Sequence, residues 1–234
     1  MDVCALLEEV ARRCPGGKLP TSYIILDLET TGLDPQHCRA LQYGVCIVRD
    51  NVVVDTWAAL LNYPYDVVIS AEAAQVHKIT PARLKAEGVP PGEFIPTLTD
   101  MFKKARENGV MFMGHNFGAF DRWIIERDSS EFGDSFRFGD NEFIDSGGLV
   151  KASQLVHMDF HAQDTLASFF TRVRDVRAKG VRWSLSWCAE QFRLVEQGVD
   201  ISKLHDAGAD ARTVHLLYQS FLAGLDEQCK EQQP

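Results

Sequence analysis

The sequence predicts an α/β domain, a mixed sheet with helices on both faces. Three observations carry that prediction. Strand-like apolar runs follow one another early in the chain. Helical stretches and short apolar runs then alternate. The 234 residues, 45% of them apolar, are enough for one domain with a substantial core. Residues 1–20 read as a short amphipathic helix and a linker broken at Pro15-Gly16-Gly17. Asp2, Glu8 and Glu9 stand where a secretion signal would carry basic residues. Tyr23-Ile24-Ile25-Leu26 has the continuous apolar character of a buried strand. Strands follow at about 42–48 and 52–61, and Asp50-Asn51 between them makes a hairpin turn. Residues 70–108 read as helical, with breaks at Pro81, Pro90, Pro91 and Pro96. Val110-Met111-Phe112-Met113 is another strand, and a helix starts near Phe117 and runs towards Arg127. Residues 128–141, rich in Gly, Ser and Asp, read as a loop. A helix covers 184–192. The main domain is expected over 21–225, with an insertion at about 152–182 and a short tail at 226–234.

The string Asp27-Leu28-Glu29-Thr30-Thr31-Gly32 carries the most chemistry. Residues i and i+2 of a strand share a face, so Asp27 and Glu29 project side by side. Crowded carboxylates raise each other's pKa unless a cation lies between them, and a hard divalent metal with oxygen ligands is the usual resolution. From the spacing alone, a solvated strand end with two charges is the alternative. A third acid, Asp121, closes Gly114-His115-Asn116-Phe117-Gly118-Ala119-Phe120-Asp121 after the strand at Met113. A fourth, Asp210, closes His205-Asp206-Ala207-Gly208-Ala209-Asp210.

These three strings, in this order, resemble the DEDDh branch of the DnaQ-like 3′–5′ exonucleases, over roughly residues 22–223. Val76-His77-Lys78-Ile79-Thr80 and Phe143-Ile144-Asp145-Ser146 are similar to segments of the polymerase III proofreading subunit and its relatives. The resemblance implies a ribonuclease-H-like sheet with the first strand central, a strand end at Asp145, a last helix that begins around Ala207 and carries Asp210, and two Mg²⁺ or Mn²⁺ ions held by Asp27, Glu29, Asp121 and Asp210. It implies that Asp27 bridges both ions, that Glu29 and Asp210 complete one and Asp121 the other, and that His205 is the general base. A 3′-terminal nucleotide is expected over Leu28, Thr30 and Thr31, with His77, Asn116 and Phe117 also in the substrate site. Of the nearby aromatics, Phe117 is the stacking candidate, while Phe120 and Trp123 have the spacing of core residues. His77 read alone is equally a surface histidine at a helix start. Asp145 reads as a helix cap, and Asp206 as a fifth acid that points to solvent.

A net charge of −9 excludes a broad basic face for long duplexes, but not a short grip on a strand end. The expected substrates are single-stranded DNA 3′ ends, with nucleoside 5′-monophosphates released as in repair or proofreading. RNA 3′-end trimming, as in ribonuclease T-like enzymes, is the alternative, because the 2′-hydroxyl decides and no residue settles it. A polymerase or replication partner is the other alternative. Six cysteines without a C-x-x-C pair point to free thiols in a reducing cytoplasm, and no stretch is apolar and long enough to span a membrane. The insertion holds His157 and His161 at i, i+4, like a metal clip. It also holds Arg172, Arg174, Arg177, Lys179 and Arg182, which read as a solvated helix face, or as a phosphate-tracking or partner-docking element.

Overall fold

A computed structural model describes residues 3–231. The element order is α1 (Val3–Arg13), β1 (Tyr23–Thr30), β2 (Ala40–Arg49), β3 (Val52–Leu60), α2 (Ala71–His77), α3 (Pro81–Glu87), α4 (Pro91–Glu107), β4 (Met111–Gly114), α5 (Asp121–Phe132), β5 (Phe143–Asp145), α6 (Ser146–Gln154), α7 (Leu166–Asp175), α8 (Leu185–Gln191) and α9 (Ala207–Glu231). The five strands form one sheet in the order β3-β2-β1-β4-β5, so β1 is central. β1, β2 and β3 pair antiparallel, and β4 and β5 join β1 in parallel, which makes the sheet mixed. Asp50 and Asn51 both take the left-handed conformation (φ 50° and 62°) that the tight turn between β2 and β3 needs.

The strand alternation sorts β1 between two cores. Tyr23 and Ile25 pack with Leu6, Leu7 and Val10 of α1 and with Val214, Leu217 and Tyr218 of α9. Ile24, Leu26 and Leu28 pack with Ile95, Leu98 and Phe102 of α4 and with Ile124 and Ile125 of α5. Helices therefore cover both faces, as the sequence predicts. Asp27 and Glu29 continue the Tyr23–Ile25 face beyond the point where its apolar core ends.

Several expectations need correction. α5 starts at Asp121, not near Phe117. Asn116 is left-handed (φ 64°), and the N–H groups of Asn116 and Gly118 donate to the Asp145 carboxylate at 2.9 and 3.2 Å. These donors are taken by a side chain, so the segment turns before the helix begins. α5 also runs on to Phe132, through part of the expected loop. Asp128 there is fully buried and accepts from the Tyr43 hydroxyl at 2.8 Å, and the buried Ser129 hydroxyl accepts from the N–H of Phe136 at 3.0 Å. Residues that look like solvated loop are internal tethers. Pro96 does not break α4; the bond it forgoes would reach the carbonyl of the exposed Gly92.

The 152–182 segment is part of the domain wall: Leu166, Phe169, Phe170 and Val173 of α7 are buried. His157 and His161 lie in irregular chain, with His157 left-handed (φ 61°), so the i, i+4 spacing does not align them as a helix would. Arg172 is committed inside the fold to Asp164 and the Asp159 carbonyl, whereas Arg174, Arg177, Lys179 and Arg182 are exposed. The expected tail is helical as far as Glu231, because α9 continues through it. Cys14, Cys38, Cys46 and Cys188 are buried thiols, and the Cys229 side chain lies outside the described residues. Among the described residues no helix is long and apolar enough to cross a membrane.

Candidate active site

The site forms where β1, α5 and α9 meet. In β1, Asp27 lies opposite Gly44 of β2 and Glu29 opposite Gln42. Gly44 matters because a Cβ there would meet the Ala207 backbone at 2.0 Å. A glycine inside a strand often marks such a close backbone approach, and here it lets the N-terminus of α9 rest on the sheet beside Asp27. Gln42, 4% exposed, fixes that end of the helix: its Oε1 accepts from the Ala207 N–H at 3.1 Å and its Nε2 donates to Asp206 at 3.0 Å. Asp206 does not point to solvent. Its other oxygen accepts from the Ala209 N–H at 3.2 Å, so it caps α9. The capped helix then presents Asp210 from its first turn.

His205 precedes this cap in a left-handed conformation (φ 73°), and its N–H donates to Asp210 Oδ2 at 3.1 Å. Ligand-type atoms of Glu29, His205 and Asp210 all lie within 4.8 Å of one another. Asp121, 4% exposed, enters as the first residue of α5. All four acids feel the crowding. Burial, then the charges of Asp210, Asp121, Glu29 and Asp206, hold Asp27 well above the ordinary carboxylate range. Burial and the charges of Asp210, Asp121 and Asp206 push Glu29 up to about 8. Burial pushes Asp121 to about 8 against the pull of its own and the Leu28 backbone N–H. Asp210 rises to about 7 through burial, opposed by the His205 N–H and reinforced by Asp206. His205 is exposed at the edge of the site, and its partial desolvation there lowers its pKa, which favours its neutral form.

Asp210 Oδ1 is buried with no hydrogen-bond partner. A buried carboxylate oxygen without a donor, among acids that repel one another, is a liability unless a cation satisfies it. An all-carboxylate donor set with one imidazole suits a hard divalent ion such as Mg²⁺ or Mn²⁺. The residues present therefore fit a metal centre.

The other expected site residues divide into bracing and buried groups. Thr30 Oγ1 donates to the Gly32 carbonyl at 2.7 Å and Thr31 Oγ1 accepts from the Arg39 N–H at 2.9 Å, so both hydroxyls brace the turn after β1. His77 is a buried tether, not a surface residue. Its Nδ1 accepts from the Ile79 N–H at 2.9 Å, which leaves Nε2 to donate to the Thr30 carbonyl at 3.2 Å. Leu28 points into the α4–α5 core, and Asn116 shapes the turn before Asp121. Asp145 is the helix cap it reads as, since it also accepts from the Gly148 N–H at 3.0 Å.

Of the aromatic expectations, Phe120 packs against the α4–α5 core as its spacing suggests, whereas Phe117 and Trp123 depart from theirs. Phe117 is completely buried against Phe138 and Phe143 and is closed to a base, because its ring fills the space between β4 and β5 and the following loop. Trp123 is 50% exposed. Gly44 and Gln42 were not legible as site residues, although the lone Gly in an apolar strand is the signal that could have found the first, and Asp206 was legible as an acid beside the site but not as the cap of α9.

A family model described as "Exonuclease", of the RNase T type, matches residues 24–218. No curated protein matches the chain at a significant level. Among solved structures, the zinc-bound form of E. coli exonuclease I with single-stranded DNA matches with a TM-score of 0.66 and 16% identity, over 88% of this chain and 41% of that one. The same E. coli enzyme in complex with a dA16 oligonucleotide gives 0.65 and 17%, over 89% and 42%. Its complex with a dT13 oligonucleotide gives 0.62 and 18%, over 91% and 43%. This chain thus spans less than half the length of these proteins, and at such identity the likeness is one of fold, the ribonuclease-H-like sheet. With its family model spanning most of the sequence, the chain belongs to the DnaQ-like exonuclease family.

Proposed function

We propose that the chain is a metal-dependent 3′–5′ exonuclease that trims single-stranded DNA from its 3′ end and releases nucleoside 5′-monophosphates. One observation carries the reading: Glu29, His205 and Asp210 converge within 4.8 Å beside Asp27, and a buried Asp210 oxygen has no partner. Asp27, Glu29, Asp121 and Asp210 would hold two Mg²⁺ or Mn²⁺ ions. Bound there, divalent ions supply positive charge for activating water and for stabilising the leaving 3′-oxygen.

The chain's own residues do the rest. His205 accepts the proton of the attacking water, which requires the neutral imidazole that its partial desolvation favours. Its backbone N–H keeps Asp210 aimed at the site. The turn at Thr30-Thr31, braced by Arg39 and by His77, gives the terminal nucleotide a fixed floor. The solved neighbours are complexes with single-stranded DNA, which favours DNA over RNA as the substrate. Buried cysteine thiols suit a reducing cytoplasm. Digestion of matched 5′-labelled DNA and RNA single strands with Mg²⁺ tests the assignment. A ladder shortening from the 3′ end, faster on DNA, supports it, and a preference for RNA replaces the substrate while leaving the chemistry.

A further inference from the structure

We infer that the cleft beside Trp123 binds the single strand upstream of the cut, with the indole stacked on one nucleobase. This rests on the exonuclease reading above and adds a second binding point to it. The cleft has a volume of about 520 Å³ and runs between Pro35 and Gln36 on one wall and Trp123, Arg127 and Ser130 of α5 on the other. Both walls leave directly from the catalytic motifs. Pro35 follows the turn at Gly32, and Trp123 follows Asp121 by two residues in α5. Asp121 and Trp123, two residues apart, lie on different faces of α5, so a strand whose 3′ end lies over β1 would pass round the start of α5 to reach this cleft.

The lining has the chemistry of a base-binding surface. Ile124 and Ile125, the next residues of α5, are buried, while Trp123 leaves 50% of its surface exposed. The Arg122 guanidinium lies 5.5 Å from the indole centroid but outside the lining, held by Glu126 and the Phe138 carbonyl, so the cations of the cleft itself are Arg127 and Arg137. Arg127 donates to the Pro35 carbonyl at 3.1 Å, which ties the two walls together, and its Nε is buried without a partner. Arg137, whose side chain is 67% exposed, uses one N–H on Glu126 at 3.1 Å and keeps the rest of its fork for a phosphate. An aromatic face flanked by guanidinium groups is how proteins hold single strands regardless of sequence, because every base offers a π-face. The volume is ample for one nucleotide unit. The occupant is therefore the substrate strand itself, and a folded protein partner would find too little apolar surface here.

The test compares wild type, Trp123→Ala and Trp123→Phe on two substrates with Mg²⁺: dT15, which reaches the cleft, and the dinucleotide pTpT, which does not. Trp123→Ala should raise KM for dT15 about tenfold, with kcat within about twofold, as expected for one lost stacking contact that acts before the chemical step. Trp123→Phe should recover most of the loss, and pTpT should be cleaved alike by all three proteins. An unchanged KM on dT15, or an equal loss on pTpT, would overturn the inference. Anisotropy of 5′-fluorescein-dT15, measured in EDTA, separates this idea from the exonuclease reading. If the wild type cleaves nothing, that reading fails, and binding decides the cleft: about tenfold weaker binding by Trp123→Ala supports it, and equal affinity removes it.

Discussion

At the residue scale, the acids do opposite work for stability and for catalysis. Glu29 has its pKa raised to about 8 by burial and neighbouring charge, so the folded protein holds a proton that the unfolded chain releases near pH 4.5. For such a group the stabilising contribution is complete at low pH and is lost as pH rises through the folded value. In the metal-free protein, Glu29→Gln should therefore gain stability over wild type as pH climbs from 4 to 8, by on the order of 3 kcal/mol. Paired thermal melts in EDTA check this, and a gap that stays constant or reverses contradicts the crowding described here. His205 gives the second prediction. His205→Ala should cut turnover by about 10²–10⁴-fold and remove the acid limb of the pH–rate profile, because a general base works only when neutral. Partial desolvation lowers the His205 pKa, so the wild-type midpoint should lie below the ordinary histidine value. A limb that survives in the variant would assign the titration to a carboxylate. These residues were readable in the sequence because each sits in a string whose spacing is itself the signal. Phe117 and Trp123 were not, because the direction of a side chain near a helix start depends on where the helix begins. Asp145 moved that point by four residues when it captured the backbone of Asn116 and Gly118.

At the scale of elements, the placement of α9 decides whether a fourth carboxylate exists at all. The helix reaches the sheet because Gly44 has no side chain, and it is held there by the two hydrogen bonds of Gln42. Gly44→Ala should push the start of α9 off β2, since the new Cβ would overlap backbone, not a movable side-chain tip. The expected cost is about 1–3 kcal/mol of stability, as for overpacking elsewhere. Turnover should fall by far more than that loss implies, because Asp210 and His205 shift together. A variant with wild-type kcat at a temperature where it is folded would show that α9 is less tightly placed than the contact suggests. β1 to β4 were legible from apolar runs and a turn that needs positive φ, and the start of α9 from the family resemblance. The extension of α5 and the integration of α7 were not. Asp128 and Ser129 look like loop residues, and only long-range partners such as Tyr43 and Phe136 make them interior ones.

At the scale of the whole molecule, a chain of net charge −9 brings Asp27, Glu29, Asp121 and Asp210 together where β1, α5 and α9 meet. Such a molecule has to recruit cations before it can approach a polyanion, so activity should depend strictly on added divalent metal. The β1 position at the centre of the sheet was legible only through the family resemblance, and it is what brings two sequence-distant acids to Asp27 and Glu29. The approach of α9 was not, because a single glycine contact sets it. The most direct test follows single-stranded DNA labelled at its 3′ end and, separately, at its 5′ end, with wild type and Asp27→Asn, in Mg²⁺ and in excess EDTA. The account predicts that the wild type in Mg²⁺ releases the 3′ label first as a mononucleotide, and that EDTA or Asp27→Asn abolishes release. Undiminished digestion in EDTA or by Asp27→Asn, or first release of the 5′ label, would contradict it.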